Sequence, residues 1–508
     1  MMNMIKNQIN QDKIHTENGA LSYRTSGHDL LDLNFAVSSL RSKPEAEIRQ
    51  RFRLAFYENP ELAVRWLFYL RDIRGGMGER RSFRIMMQEL ANLRPEETAR
   101  LIPLIAEYGR WDDVVNLSSE KAVKEACYRT IQEQLKSDII NAKENKPISL
   151  LAKWLPSAKP KRDSDKEFVK DFIEYSLIDL RAYNRTIVKL RRRLDIVEAK
   201  MSRNDWEDIN YNAVPARANL RYNNAFLRHD EQRRRDYLSK LKSGDKSVKI
   251  NAGTLFPCDI VHQYSERIGW WGRGIKGYDE TIELLWKNLP NIVPENSDVI
   301  VVADGSGSMY SQVGKSSTMA IEVANSLAIY FSERLSGPYK DQYITFSSRP
   351  QYVDFSKAES LRDKIKIAEV HDECANTNIK ATFDLILDTA VTNNLKQEDI
   401  PSTVMILSDM EFDSCGGRYA PFDRIKLDWE AAGYEMPKLV FWNICGRTGG
   451  IPLQMNKNGV VLLSGFSPAV YKMAMNNETD PYKALIRVLM DTRYDAVEAA
   501  WKGSVTAK

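Results

Sequence analysis

Asp304-Gly305-Ser306-Gly307-Ser308-Met309 follows the apolar, β-branched run Val299 to Ala303. A carboxylate and two hydroxyls at alternate positions, spaced by glycine, let a tight loop aim hard oxygens at one point, a donor set suited to Mg²⁺ or Mn²⁺. A second apolar run, Thr403 to Leu407, ends in Ser408-Asp409, and between the two Asn376-Thr377-Asn378 precedes a helical pattern and offers a third hydroxyl. Asp304, Ser306, Ser308, Thr377 and Asp409 are therefore the candidate cation ligands. Thr382 lies five residues on, but inside the helix, so Thr377 is preferred.

The second chemistry is cationic. Residues 181–203 hold Arg181, Arg185, Lys189, Arg191, Arg192, Arg193, Lys200 and Arg203 against Asp195 and Glu198. On a helix, Arg181, Arg185, Lys189 and Arg192 recur at i, i+4, i+8 and i+11, one stripe able to supply the electrostatic part of nucleic-acid affinity. Arg233, Arg234 and Arg235, with Lys240 and Lys242, form a second cluster. Tyr183, Tyr211, Tyr222 and Phe226 interleave with these cations and offer faces for base stacking, although aromatics at helical spacing more often fill a core. The alternative for the cations is a solvated helix face with salt bridges to its neighbours.

No catalytic set is evident. Ser306 and Ser308 have no His partner close in sequence, and Asp304 and Asp409 suit a cation better than acid–base work, so the chain is not expected to be an enzyme. Arg74-Gly75-Gly76-Met77-Gly78-Glu79-Arg80 lacks the Lys-Ser/Thr of a phosphate-binding loop and reads as a helix-breaking turn with Arg80 pairing Asp72 or Glu79. Gly269-Trp270-Trp271-Gly272-Arg273-Gly274 reads as a hinge.

These residues need elements to hold them. From about Asp32 to Ile250 the apolar residues recur at helical spacing, as in Leu62, Trp66, Leu67 and Leu70, in blocks that resemble stacked HEAT-type helix pairs. After Leu289-Pro290 short apolar runs alternate with helices, at 298–303, 342–346, 403–407, 438–442 and 459–463, which predicts a doubly wound parallel sheet. A last amphipathic helix is read at about 480–501. The predicted organisation is a polar arm over 1–30, a helical HEAT-like ring or arc over 31–290, and an α/β domain over 291–508, an α + α/β fold.

The 508 residues are 43% hydrophobic and 28% charged, the profile of an ordinary globular chain. Residues 1–250 carry 47 Lys+Arg against 36 Asp+Glu, whereas residues 251–508 carry 26 against 33, so the halves suit different partners. Five scattered cysteines, never in CxxC spacing, indicate neither a disulfide framework nor a zinc site. No signal-like or membrane-spanning apolar run is evident, and the expectation is a cytoplasmic monomer without membrane contact.

The DGSGSM loop, the Thr before a helix and the LSD strand end resemble the metal-ion-dependent adhesion site of von Willebrand factor A domains. That resemblance implies that Ser306, Ser308 and Thr377 bind the cation directly, that Asp304 and Asp409 act through water, and that an acidic group on a partner completes the shell. The segments Arg65 to Arg80 and Ile105 to Asp113 resemble the TROVE module of the Ro autoantigen family. They are closer still to an uncharacterised sister family of plants, bacteria and phages, as are Lys153-Trp154-Leu155-Pro156, Leu190 to Trp206, Val214-Pro215 and Ser408 to Phe412. The resemblance covers about Ala55 to the C-terminus. It implies an RNA-binding scaffold that holds small non-coding or single-stranded RNA on a basic helical surface, joined to a Mg²⁺-binding A domain. The alternative is a metal-dependent protein-interaction module that grips an acidic partner residue, in a phage or chaperone assembly.

Overall fold

A computed structural model describes residues 13–15, 21–117, 121–194, 196–268, 272–372, 378–411, 421–446, 460–475, 478 and 480–503. They divide into two compact units: Leu241–Val488 with the segment ending at Glu58, and Asn59–Lys240 with the segment from Leu489. The division differs from the boundaries near 30 and 290 that the sequence pattern suggests, because segments at both ends of the chain are recruited by distant elements.

The first unit is built on a six-stranded sheet. Its strands are β1 (Val299–Asp304), β2 (Gln342–Phe346), β3 (Tyr352–Asp354), β4 (Thr403–Ser408), β5 (Lys438–Asn443) and β6 (Val460–Ser464), in the order β6-β5-β4-β1-β2-β3. All neighbours are parallel except β2 and β3, which are antiparallel. This corrects the expected wholly parallel sheet. Only residues 347–351 separate the two strands, far short of the dozen or more that a parallel crossover needs, so the chain must turn straight back. β1 is buried along its whole length, as is every residue of the Ala320–Ser332 helix that packs on it; covering both sheet faces is what makes such strands continuously apolar.

The chain leaves β1 for β2 on one side, and β4 returns on the other. The switch point, where ligands of open α/β sheets bind, therefore lies between β1 and β4. Register places Ala303 opposite Leu407, which brings Asp304 and Ser408 side by side.

The Asp29–Phe35 and Val37–Leu40 helices belong to this unit and close the ends of β5 and β6. The Ser38 amide donates to Ser464 Oγ (3.0 Å), Ser38 Oγ donates to Asn443 Oδ1 (3.1 Å), and Asn443 Nδ2 donates to the Phe35 carbonyl (3.0 Å). Each of these buried polar groups finds its partner in the other element.

The second unit holds no strand among its described residues. Its Pro60–Arg71 helix starts on an Asn59 cap that accepts from the Leu62 amide (3.0 Å), with Pro60 at the first helical position, where its missing N–H costs nothing. Arg65 on this helix is 5% exposed and donates to Asp495 Oδ1 (3.0 Å), to the Leu489 carbonyl (2.9 Å) and to Glu498. A buried guanidinium needs such acceptors, and they come from the last segment of the chain. That segment is not the one long helix expected. It runs as Pro481–Leu489, a turn at Thr492–Tyr494 and Asp495–Lys502, and Asp491 caps the turn by accepting from the Arg493 amide (2.9 Å).

The Gly75-Gly76 turn folds around Asp72. A β-carbon on Gly75 would lie 2.9 Å from the Asp72 carboxylate, and one on Gly76 would lie 2.0 Å from the Tyr69 carbonyl oxygen, so both positions exclude a side chain. The cation at Asp72 is Arg493, whose Nη2 donates to Oδ1 (2.9 Å) and whose Nε bonds Oδ2, rather than the Arg80 that the sequence suggested. No helix among the described residues is long and apolar enough to cross a membrane.

Arg493→Ala strands the Asp72 carboxylate, whose side chain is 1% exposed, and is expected to cost about 3 kcal/mol in urea denaturation. The exposed Lys502, which pairs with Glu61 and Glu498, serves as the comparison, because Lys502→Ala should cost far less. Equal losses would remove Arg493 from its central place.

Candidate metal centre and basic helix surface

The metal candidates gather at the end of β1. Asp304 is fully buried; its Oδ1 accepts from the Ser306 amide (2.9 Å), and its Oδ2 accepts from Ser408 Oγ (2.6 Å). The carboxylate thus folds the loop back on itself and ties β1 to β4. Ser306 Oγ and Ser308 Oγ stand 3.0 Å apart. Adjacent ligands of an octahedral Mg²⁺, with Mg–O of about 2.0–2.1 Å, are separated by about 3 Å, so the two hydroxyls fit one cation edge.

Asp409 is 1% exposed and accepts from the Glu411 amide at 3.2 Å. Burial, and then the Asp409 charge, push the Asp304 carboxyl well above the ordinary carboxylate range, to about 7. Two carboxylates so placed repel, and a divalent cation is the natural relief. Met410, next in the chain, holds φ at +67°, the left-handed region that a side chain makes costly. Its amide is fixed by Ser408 Oγ (3.1 Å). Thr377 lies outside the described residues, while Thr382 is in the Ile379–Thr392 helix and fully buried. Among the described residues no three His, Cys, Asp or Glu converge on one point; the set at β1 and β4 instead combines two carboxylates with two hydroxyls.

One participant escaped the sequence reading. Asp372 packs against the loop so closely that a β-carbon on Gly305 would lie 3.0 Å from its Cα and 3.2 Å from its Oδ1. Asp372 Oδ2 accepts from Asn325 Nδ2 (2.9 Å) on the Ala320–Ser332 helix. The signal available in the sequence was Gly305 itself.

In the helical unit, the stripe sits where its spacing placed it. The Leu180–Arg193 helix starts on Asp179, which accepts from the Ala182 amide (2.6 Å), and buries Tyr183, Ile187 and Leu190. Arg181, Arg185, Lys189, Arg192 and Arg193 are exposed and have no ion-pair partner among the described residues. Arg191 faces inward, donating to the carbonyls of Ala152 (2.8 Å) and Leu155 (2.6 Å), which closes the end of the Leu151–Trp154 helix. Beside the stripe, Val188, Arg191, Arg192, Ile196, Ala199 and Arg203 line a cavity of about 180 Å³.

The second cluster is structural. Arg234 is fully buried, donates to Asn219 (3.2 Å) and Asn223 (3.3 Å), and lies 5.0–5.4 Å from the ring centres of Tyr211, Phe226 and Tyr237, a buried cation–π cage. Arg233 donates to the carbonyls of Trp206 (3.0 Å) and Ile209 (2.8 Å) and pairs with Asp230; Arg235 pairs with Glu231. Tyr183, Tyr211 and Phe226 are 5% exposed or less, so they fill the core rather than offer stacking faces, and Tyr222 is half-buried.

Two family models match the chain, each described only as a domain of unknown function: DUF2828 over residues 16–122 and 170–298, and DUF7788 over residues 298–500. The uncharacterised protein L728 of Acanthamoeba polyphaga mimivirus is 29% identical, over 93% of this chain and 86% of that protein. Among solved structures, the chain is similar to the RO (RSR) protein of Deinococcus radiodurans at 14% identity and a TM-score of 0.37, over 92% of this chain and 93% of that one.

A β-carbon has no room at Gly305 but meets nothing within 4 Å at Gly307. Gly305→Ala should therefore cost about 1–3 kcal/mol while Gly307→Ala leaves the melting temperature unchanged. Equal melting temperatures would separate Asp372 from the loop.

Proposed function

We propose that the chain is an RNA-binding scaffold that also holds a divalent cation at the β1 and β4 strand ends. The observation that carries the reading is the stripe on the Leu180–Arg193 helix: five exposed cations on a folded element, with no ion-pair partner among the described residues. Lys and Arg placed so exchange counterions for phosphates, the term that supplies most sequence-independent affinity. Arg192 of the stripe also lines the adjoining cavity, where its uncommitted donors can meet one phosphate. The TROVE-like motifs agree with RNA as the polyanion.

In the A-domain-like unit, Ser306, Ser308, Asp304 and Asp409 would hold Mg²⁺ or Mn²⁺, which when bound supplies a Lewis-acidic point for an anionic oxygen. Asp304 organises the loop, and the two serines present their hydroxyls. Ser308 is partly exposed whereas both carboxylates are buried, so the open side of the site faces solvent. That favours a second role for this same unit, the capture of a partner's acidic side chain.

The direct test of RNA binding leaves out Arg191, whose change would damage the fold. Arg185→Glu, Lys189→Glu and Arg192→Glu together should weaken binding of a single-stranded RNA more than tenfold at moderate salt and flatten the log–log salt slope by about 2. Affinity that survives all three reversals would rule out the stripe.

The cation is tested by melting. Millimolar Mg²⁺ should stabilise the unchanged chain, by about 2.7 kcal/mol at a hundred times Kd, and so raise its melting temperature, and Ser306→Ala with Ser308→Ala should abolish the shift. A shift that persists in the double variant places the cation elsewhere.

A further inference from the structure

The sequence placed no histidine near a usable serine, but the fold does so away from both sites above. His262 ends the Pro257–Tyr264 helix and lies against the start of the Ala320–Ser332 helix. Its Nδ1 is 2.8 Å from Glu322 Oε2, and its Nε2 is 3.0 Å from Ser317 Oγ. The side chain of Glu322 is 5% exposed and that of His262 28%, while Ser317 is exposed. The order from inside to outside is thus carboxylate, imidazole, hydroxyl.

Each member is held. Glu322 also accepts from Ser265 Oγ and from the Met319 amide (3.0 Å). Burial alone would raise its carboxyl, but the hydrogen bonds from His262, Ser265 and Met319 outweigh burial and hold it below the ordinary range. With its proton on Nδ1, His262 donates to the Glu322 carboxylate, and this tautomer leaves the Nε2 lone pair for the Ser317 hydroxyl. Ser317 rides on a closed loop. Gln312 bridges Met319, the Val313 amide donates to the Thr318 carbonyl (3.0 Å) and the Ser316 amide to the Val313 carbonyl (3.3 Å). Gly314 turns the loop at φ +61°, where a β-carbon would lie 3.0 Å from that of Arg41. A helix cap accounts for Glu322 and the Met319 amide; it does not call for an exposed serine at the far nitrogen of the histidine.

We propose that Ser317 and His262 are a nucleophile and general base, positioned by Glu322, for the hydrolysis of carboxylic esters presented from solvent. Ser317 Oγ bonds to the acyl carbon as its proton passes to His262 Nε2. The ester C–O bond breaks, and the departing alcohol oxygen takes that proton. Water then repeats the attack on the acyl-serine, His262 accepting its proton and returning it to Ser317, so that ester and water give acid and alcohol. Ester rather than amide is the class that fits, because an alcohol is the easier leaving group for a site open to solvent. The inference is independent of RNA or metal binding.

The test uses the full chain, with a fluorophosphonate probe located by peptide mass spectrometry and p-nitrophenyl acetate as substrate. Ser317 should be labelled at least about a hundredfold faster than the exposed neighbour Ser316, and His262→Gln should slow both labelling and ester turnover by about 10²-fold or more. Ser317→Ala should abolish turnover. Glu322→Gln should lower kcat with KM within about twofold; because it alters a buried carboxylate and can impair folding, the exposed Ser317 and half-buried His262 variants carry the decision. Labelling of Ser317 at the rate of Ser316, or labelling indifferent to His262→Gln, overturns the proposal.

Discussion

A carboxylate with no exposed surface stands where the sheet changes direction. Asp304 spends one oxygen on the loop amide of Ser306 and the other on the hydroxyl of Ser408, so β1, the following loop and β4 are joined through a single side chain. Much of the sheet unit follows from that. Strands on either side of β1 can be long, apolar and buried because the polar demands of their ends are met at this point. The price is a second buried acid, Asp409, whose charge raises the Asp304 carboxyl. A core that keeps two like charges together is stable only if protons or a cation share the site, which makes the switch point the place where ionic conditions act on the fold.

In the helical unit, arginine plays opposite parts according to whether its donors are spent. Arg65, Arg191 and Arg234 direct their donors to carbonyls, carboxylates or amide oxygens of their own unit. Their stems and planes pack like other buried groups, and their removal would leave acceptors empty. The cations at 181, 185, 189, 192 and 193 have solvent in front of them instead. A guanidinium already holding several acceptors has little left to offer a phosphate, so net charge alone overstates the binding surface. The geometry of donors, rather than the count of arginines, separates framework cations from those open to a polyanion.

The difference explains what was legible in the sequence. The strands that end at Asp304 and Ser408 could be read because strands buried on both faces are written as continuous apolar runs, and the Leu180–Arg193 helix could be read because its apolar and cationic stripes repeat at one period. β3 could not, being three residues long and covered on one face only. Arg191 and Arg192 are adjacent and alike in composition, yet one closes a neighbouring helix and the other faces solvent; only the packing partner distinguishes them. The division of the chain was hidden for a similar reason. Ser38 and Arg65 reach across more than 400 residues to Ser464 and Glu498, and no local pattern announces such a partner.

His262, Ser317 and Glu322 show the same limit in its sharpest form. They are separated by 55 and 60 positions, and each has an ordinary local explanation as a helix-end histidine, a loop serine or a capping acid. A search for a nucleophile near the DGSGSM loop finds two serines whose hydroxyls bond each other. The serine that meets an imidazole lies on the next loop, beyond Asp304 and Asp409, where Glu322 holds the imidazole on its other side. The proposed cation site and the proposed nucleophile therefore use different serines, as they must: a hydroxyl needed as a metal ligand cannot also surrender its proton to a histidine.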